Sequence, residues 1–197
     1  MQPMLIASDI HGSAKFLEEL LAAFEREGAS RLVLLGDILY HGPRNDLPAG
    51  YDPKKCIALL SPLKDRILAV RGNCDTEVDQ MVLPFPILAD YAVIPAGSRL
   101  IYLSHGHKFG ETTPPPFAKG DILLGGHTHV AKCAVYEDYT YLNPGSISIP
   151  KGGSSHGYLT FEDGVFTRYS MDGVAEMKYD MTPPAESNDG EETDNAQ

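Results

Sequence analysis

Seven residues of this chain are candidate metal ligands by type and position: Asp9, His11, Asp37, Asn73, His105, His127 and His129. Two carboxylates, four imidazoles and one amide make a nitrogen–oxygen donor set suited to manganese, iron, zinc, cobalt or nickel rather than calcium. A tetrahedral site uses only four donors. With one carboxylate bridging, the set suffices for two metals about 3.5–4 Å apart. Each fragment alone is weak, since Gly36-Asp37 reads equally as a turn and Gly72-Asn73 as a helix cap. Gly126-His127-Thr128-His129 is stronger, because paired histidines at alternate positions seldom serve packing. The joint occurrence, in this order, carries the reading.

Something must bring these distant groups together, and the apolar runs show what. Residues 5–8 read as a strand that ends at Asp9, residues 31–35 as one that ends at Gly36-Asp37, and residues 67–70 as one that ends at Gly72-Asn73. Phe16, Leu17, Leu20, Leu21 and Phe24 recur at helical spacing before Gly28, and residues 56–60 predict a second helix. A βαβαβ opening implies a parallel sheet, whose ligands bind beyond the carboxyl ends of the strands. The second half predicts short strands over residues 87–94, 99–103, 122–124, 132–136, 158–161 and 165–169, with a hairpin turn at Glu162-Asp163-Gly164. His105 follows the second of these, and His127 and His129 the third. Three consecutive prolines make residues 112–116 an extended loop. The expected fold is an α/β sandwich, a helix-flanked mixed sheet facing a mostly antiparallel one.

Bulk properties narrow the function classes. Hydrophobic residues make up 43% and charged residues 22% of 197, ordinary values for a globular chain that buries a sizeable core. No apolar run approaches the roughly 20 residues of a membrane span. Residues 4–7 are apolar but follow no basic segment, which predicts a buried strand rather than a signal peptide. Cys56, Cys74 and Cys133 are odd in number and far apart, which points to a reducing cytoplasm. The net charge of −11 argues against non-specific binding to nucleic acid. A single domain is expected over residues 1–180. Residues 181–197, with Glu186, Asp189, Glu191, Glu192 and Asp194 and no basic residue, are expected to form a disordered acidic tail. Homo-oligomerisation is left open.

Asp9-x-His11, Gly36-Asp37, Gly72-Asn73-Cys74-Asp75, His105 and Gly126-His127-Thr128-His129 resemble the five signature blocks of the calcineurin-like metallophosphoesterases. With Asn143-Pro144-Gly145-Ser146 the resemblance covers residues 4–170, and it is greatest to the bacterial YfcE-type phosphodiesterases, a manganese-dependent branch. The resemblance implies a four-layer αββα sandwich. It implies that Asp9, His11, Asp37 and His129 hold one metal and that Asp37 bridges to a second, completed by Asn73, His105 and His127. It also implies that a hydroxide bridging the two ions, held at Asp37, attacks a phosphoester in line. Phosphodiester hydrolysis is the expected activity, with phosphomonoester hydrolysis the alternative. A third reading, a non-catalytic scaffold like the retromer subunit of eukaryotes, requires damaged ligands, and all seven are intact.

The family's block places a histidine after Gly-Asn, where it helps protonate the leaving group; here that residue is Cys74. A thiol is a poorer donor in that role, so the expectation is preference for esters with stable leaving groups, such as aryl diesters. An inert Cys74 is the competing reading. His107 and Arg44 are candidate substrate contacts, Arg44 through its fork of donors, although either also fits a loop role. Arg71 is read as a residue that orients a ligand, and Asn143 to Ser146 as a turn supporting the metal loop.

Overall fold

The computed structural model of the chain describes residues 3–181. Two sheets face each other. The first has six strands, Met4–Ala7 (β1), Arg31–Leu34 (β2), Ile67–Ala69 (β3), Gly157–Glu162 (β9), Val165–Ser170 (β10) and Ala175–Asp180 (β11), in the order β11-β10-β9-β1-β2-β3. Strands β1, β2 and β3 run parallel, and β9 to β11 pair antiparallel beside them. The second sheet has Tyr91–Ala96 (β4), Arg99–Ser104 (β5), Asp121–Leu124 (β6), Lys132–Val135 (β7) and Tyr139–Asn143 (β8), in the order β4-β5-β6-β8-β7. Here β5, β6 and β8 are parallel and the two edge strands antiparallel.

Alternation along the strands builds two cores, because successive side chains point to opposite faces. Leu5, Ala7, Leu32 and Leu34 face outward from the first sheet onto the helices Ala14–Arg26 (α1) and Pro53–Leu60 (α2). Helix α1 starts at Ser13, whose hydroxyl accepts the Phe16 N–H, and buries Phe16, Leu17, Leu20 and Phe24 along one stripe. On the opposite face Ile6, Val33, Leu159 and Phe161 meet Ile101, Leu103, Ile122, Leu124 and Leu142 of the second sheet. Part of the outer face of that second sheet meets the proline-rich loop at residues 105–120, where Phe117 lies 5.0 Å from Tyr102 and stacks 4.6 Å from Tyr139, while Tyr91 and Val93 remain exposed. The expected two-sheet α/β architecture with flanking helices is present, but the second sheet is mixed rather than mostly antiparallel, because β5, β6 and β8 run parallel.

Several elements differ from the sequence reading. Strand β4 begins at Tyr91 rather than residue 87, because the Ile87 N–H is taken by the Gln80 side chain instead of a neighbouring strand. Helix Glu77–Val82 (α3), β8 and β11 are additions to it. Helix α3 has only six residues and rests on a Thr76/Asp79 capping box rather than an apolar stripe. Strand β11 is an edge strand whose inner face carries only Met177 and Tyr179. Such short alternations carry little periodic signal. Of the expected tail, Met181 packs into the core between the sheets, and residues 182–197 lie outside the described residues. Among the described residues no helix is long and apolar enough to cross a membrane.

Candidate metal centre

The parallel strands of both sheets end on the same side of the molecule, and the candidate ligands lie in the loops after them. Asp9 and His11 follow β1, Asp37 follows β2, Asn73 follows β3, His105 follows β5, and His127 and His129 follow β6. These loops cross-link through their backbones. Asp9 N donates to Gly36 O at 3.1 Å, His11 N to Asp37 O at 2.9 Å, and Gly126 N to His105 O at 2.7 Å. The backbone there is unusual: Asp9, His11, Asp37, His127 and His129 have φ between 49° and 64°, a left-handed conformation uncommon outside glycine. Close approach also fixes two glycines. A Cβ at Gly72 would collide with Asp37, and one at Gly126 with Ser8 Oγ.

The side chains converge in the interior. Asp9, His11 and His129 offer ligand atoms within 4.8 Å of one another, as do Asp9, Asp37 and His105, and also His11, Asp37 and Cys74. Asp37 Oδ1 accepts the Cys74 N–H at 2.8 Å, while Oδ2 lies 3.6 Å from His11 Nε2 and 3.4 Å from His105 Nε2. Asn73 Oδ1 stands 3.1 Å from His105 Nε2, and its amide nitrogen donates to Cys74 Sγ at 3.2 Å. His127 is half-buried at the rim, its ring 5.1 Å from that of His105, and belongs to none of the three tight groups.

Whether these groups fit metal ions is tested by their lone pairs. His11 Nδ1 contacts Tyr40 O at 2.9 Å, His105 Nδ1 contacts Leu35 O at 2.7 Å, and His129 Nδ1 contacts Ile149 O at 2.7 Å. A carbonyl only accepts, so in each ring Nδ1 carries the proton and Nε2 presents a lone pair in the neutral form. Yet His11 and His129 aim their Nε2 atoms at each other across 3.2 Å, and His105 aims its own at an amide oxygen. Asp9 Oδ1, fully buried, has no hydrogen-bond partner and lies 3.3 Å from His129 Nε2. Acceptors crowded in this way repel unless cations, whether protons or metal ions, lie among them. The donor set fits divalent metal ions, with backbone carbonyls fixing the imidazoles of His11, His105 and His129 as is usual for metal-bound histidine.

Protonation obeys the same logic. Burial would raise the Asp9 carboxyl, but His105, His11 and His129 outweigh it and hold it well below its ordinary value. Burial would lower His105, but Asp9 and Asp37 outweigh that and lift it to about 9. Cys74 goes the other way: burial, reinforced by Asp37, pushes its thiol up to about 12. At neutral pH it is a neutral thiol.

A cleft of about 460 Å³ opens over the cluster, walled by Arg44, Asn45, Cys74, His127, Thr128 and Lys151 among others. Arg44 is therefore at the cleft, whereas His107 is not among its walls; its ring lies 5.4 Å from His105 and 6.2 Å from His127. Arg71 touches no candidate ligand directly, donating instead to Asp75 O at 3.3 Å. Asn143 holds the loop after β6 through Gly126 O at 2.8 Å and Thr128 Oγ1 at 3.1 Å. Two positions beside the candidate ligands have no assignment from sequence. Asp75 is buried and accepts the N–H groups of Asp37, Ile38 and Gly72 at 2.7–2.9 Å. Its place in the Gly-Asn-Cys-Asp block is the available signal. Lys151 has none.

Comparison with known proteins places the chain in a family. Residues 3–163 match the calcineurin-like phosphoesterase superfamily domain. The chain is 44% identical over 167 residues to phosphodiesterase YfcE of Escherichia coli, covering 85% of this chain and 91% of that protein. It is 27% identical over 173 residues to the probable metallophosphoesterase YsnB of Bacillus subtilis, covering 83% and 87%. The solved structure of the E. coli phosphoesterase YfcE superposes with a TM-score of 0.89 at 40% identity, over 91% of this chain and 100% of that one.

Proposed function

This chain belongs to the calcineurin-like phosphoesterase superfamily, and on that footing we propose that it is a metal-dependent phosphodiesterase served by two divalent cations, manganese foremost. The observation that carries the reading is the inward convergence of imidazole lone pairs and carboxylates around the unpartnered Asp9 Oδ1. Asp9, His11, Asp37 and His129 would hold one ion, and Asn73, His105 and His127 the other, with Asp37 shared. Asp37 suits the shared position because its Oδ2 faces His11 and His105 together. When bound, two such ions supply a water of lowered pKa as nucleophile and neutralise charge on the phosphoryl oxygens.

The chain's own residues set the preference among esters. Arg44, on the cleft wall, offers a planar fork to an anionic oxygen of the substrate. His107, beside His105 and His127, is the second candidate contact. Cys74, a neutral thiol, protonates a departing alkoxide poorly. Diesters that leave as stable aryloxides are therefore the favoured class. A cytoplasmic location is supported by the three free thiols Cys56, Cys74 and Cys133.

The test is hydrolysis of an aryl phosphodiester by metal-stripped protein, with and without Mn²⁺, beside Asn73→Ala and beside the matching monoester. Turnover that requires metal, favours the diester and falls at least about 100-fold in Asn73→Ala supports the proposal, since groups that merely support a ligand cost about 10–100-fold. Faster turnover of the monoester favours the phosphomonoesterase alternative. Absence of turnover with every divalent metal would sink the enzymatic reading.

A further inference from the structure

The cleft wall holds two cations besides the candidate metal ligands. Arg44 enters from the loop after β2 and Lys151 from the loop after β8, and both form its walls. Lys151 Nζ donates to Asn45 Oδ1 at 3.3 Å, which brings the two loops together. The backbone of Lys151 is fixed to the metal loop: its N–H donates to His129 O at 2.9 Å, and its carbonyl accepts from Ser154 N at 3.0 Å. Neither cation pairs with a carboxylate among the described residues. The one carboxylate in the cleft wall is Asp37, whose oxygens are directed to Cys74 N and the histidines. In a chain of net charge −11, a mouth with two unpaired cations and no free carboxylate is a local reversal of sign. At about 460 Å³ the cleft also has room well beyond one phosphoryl group.

We propose that Arg44 and Lys151 form an anion subsite, selecting phosphodiesters whose ester arm carries a second anionic group beyond the scissile phosphate. The proposal rests on the phosphodiesterase reading and deepens it. Both side chains are solvent-exposed, so each contact is worth a few-fold in binding, about tenfold for the pair, and is screened by salt.

The experiment uses the full-length, manganese-loaded chain and two matched esters, 4-nitrophenyl phenyl phosphate and 4-nitrophenyl 4-sulfophenyl phosphate. At low ionic strength the wild-type kcat/KM is expected to be about tenfold higher for the sulfonated ester, mainly through KM, and the preference fades toward 1 M salt. Lys151→Met and Arg44→Met should each cut the preference about threefold, and the double variant should abolish it. Calorimetric binding of phenylphosphonate and 4-sulfophenylphosphonate should show the same ratios without turnover. No preference in the wild type, or a preference untouched by the double variant, overturns the subsite. Failure of the phosphodiesterase reading looks different: neither ester turns over, while the two phosphonates still report on the subsite.

Discussion

Five candidate ligands sit in left-handed backbone, which costs L-residues on the order of 1–2 kcal/mol apiece. The neighbourhood holds Asp9 there from several directions. Its carbonyl accepts the Ser146 and Ser148 hydroxyls at 2.7 and 3.0 Å, and its Oδ2 accepts Ser8 Oγ and His127 N. Strain of this kind, clustered at one place, marks a site under functional constraint. Cys74 stands beside that frame, on the cleft wall. Cys74→His should raise kcat/KM on alkyl phosphodiesters by about tenfold, a fraction of the 10²–10⁴-fold typical of general acid catalysis, with a smaller change on aryl diesters. Steady-state kinetics on a paired alkyl and aryl series checks this, and no gain on any alkyl ester would leave Cys74 as an inert side chain.

Among the elements, the site depends on loops being locked together rather than on the strands alone. Asp75 is the clearest lock, since one carboxylate collects three N–H groups from the loops after β2 and β3. Removing it leaves buried donors without partners. Asp75→Ala should lower unfolding free energy by about 3 kcal/mol and weaken Mn²⁺ binding about 10–100-fold, read by urea denaturation and metal titration. Stability and metal affinity both at wild-type values would show that the lock is redundant. On the far side, fully buried Arg168 of β10 donates to Pro144 O and Ser155 O. It ties the loop that supports Asp9 to the first sheet.

Across the full molecule, the two sheets must pack face to face before the ligands after β1, β2 and β3 meet those after β5 and β6. Leu159 of β9 is completely buried between them. Leu159→Ala should cost about 2–5 kcal/mol, measured by urea denaturation of the metal-free protein. A cost under about 1 kcal/mol would mean that the core closes over the gap. Metal should act on the same equilibrium, because crowded acceptors disfavour the folded state until cations join them. Mn²⁺ at 100 times its Kd adds about 2.7 kcal/mol, an upward shift in Tm of about 5–10 °C for a domain of this size. Thermal melts with Mn²⁺ and with chelator check it, and equal shifts in wild type and Asn73→Ala would count against binding at this site.

Which side chains stand at the strand ends is legible in one dimension. Apolar runs of three to five residues, three of them followed by Gly-Asp, Gly-Asn or Gly-His, are local patterns, and local patterns need no third dimension to be seen. Helix α1 is legible for the same reason, since its stripe spans three turns, and so is the two-sheet class implied by a βαβαβ start followed by short strands. Helix α3, β8 and β11 are not, because their periodicity is too brief to detect. Nor are the contacts of Asp75 and Lys151, whose partners lie in other loops. It took the folded arrangement to establish that Asp37 Oδ2 faces both His11 and His105, that three Nδ1–H groups meet backbone carbonyls, and that Arg44 and Lys151 share one cleft. These are distances between atoms far apart in the chain. They are fixed by how two twisted sheets pack, and no spacing along the sequence encodes them.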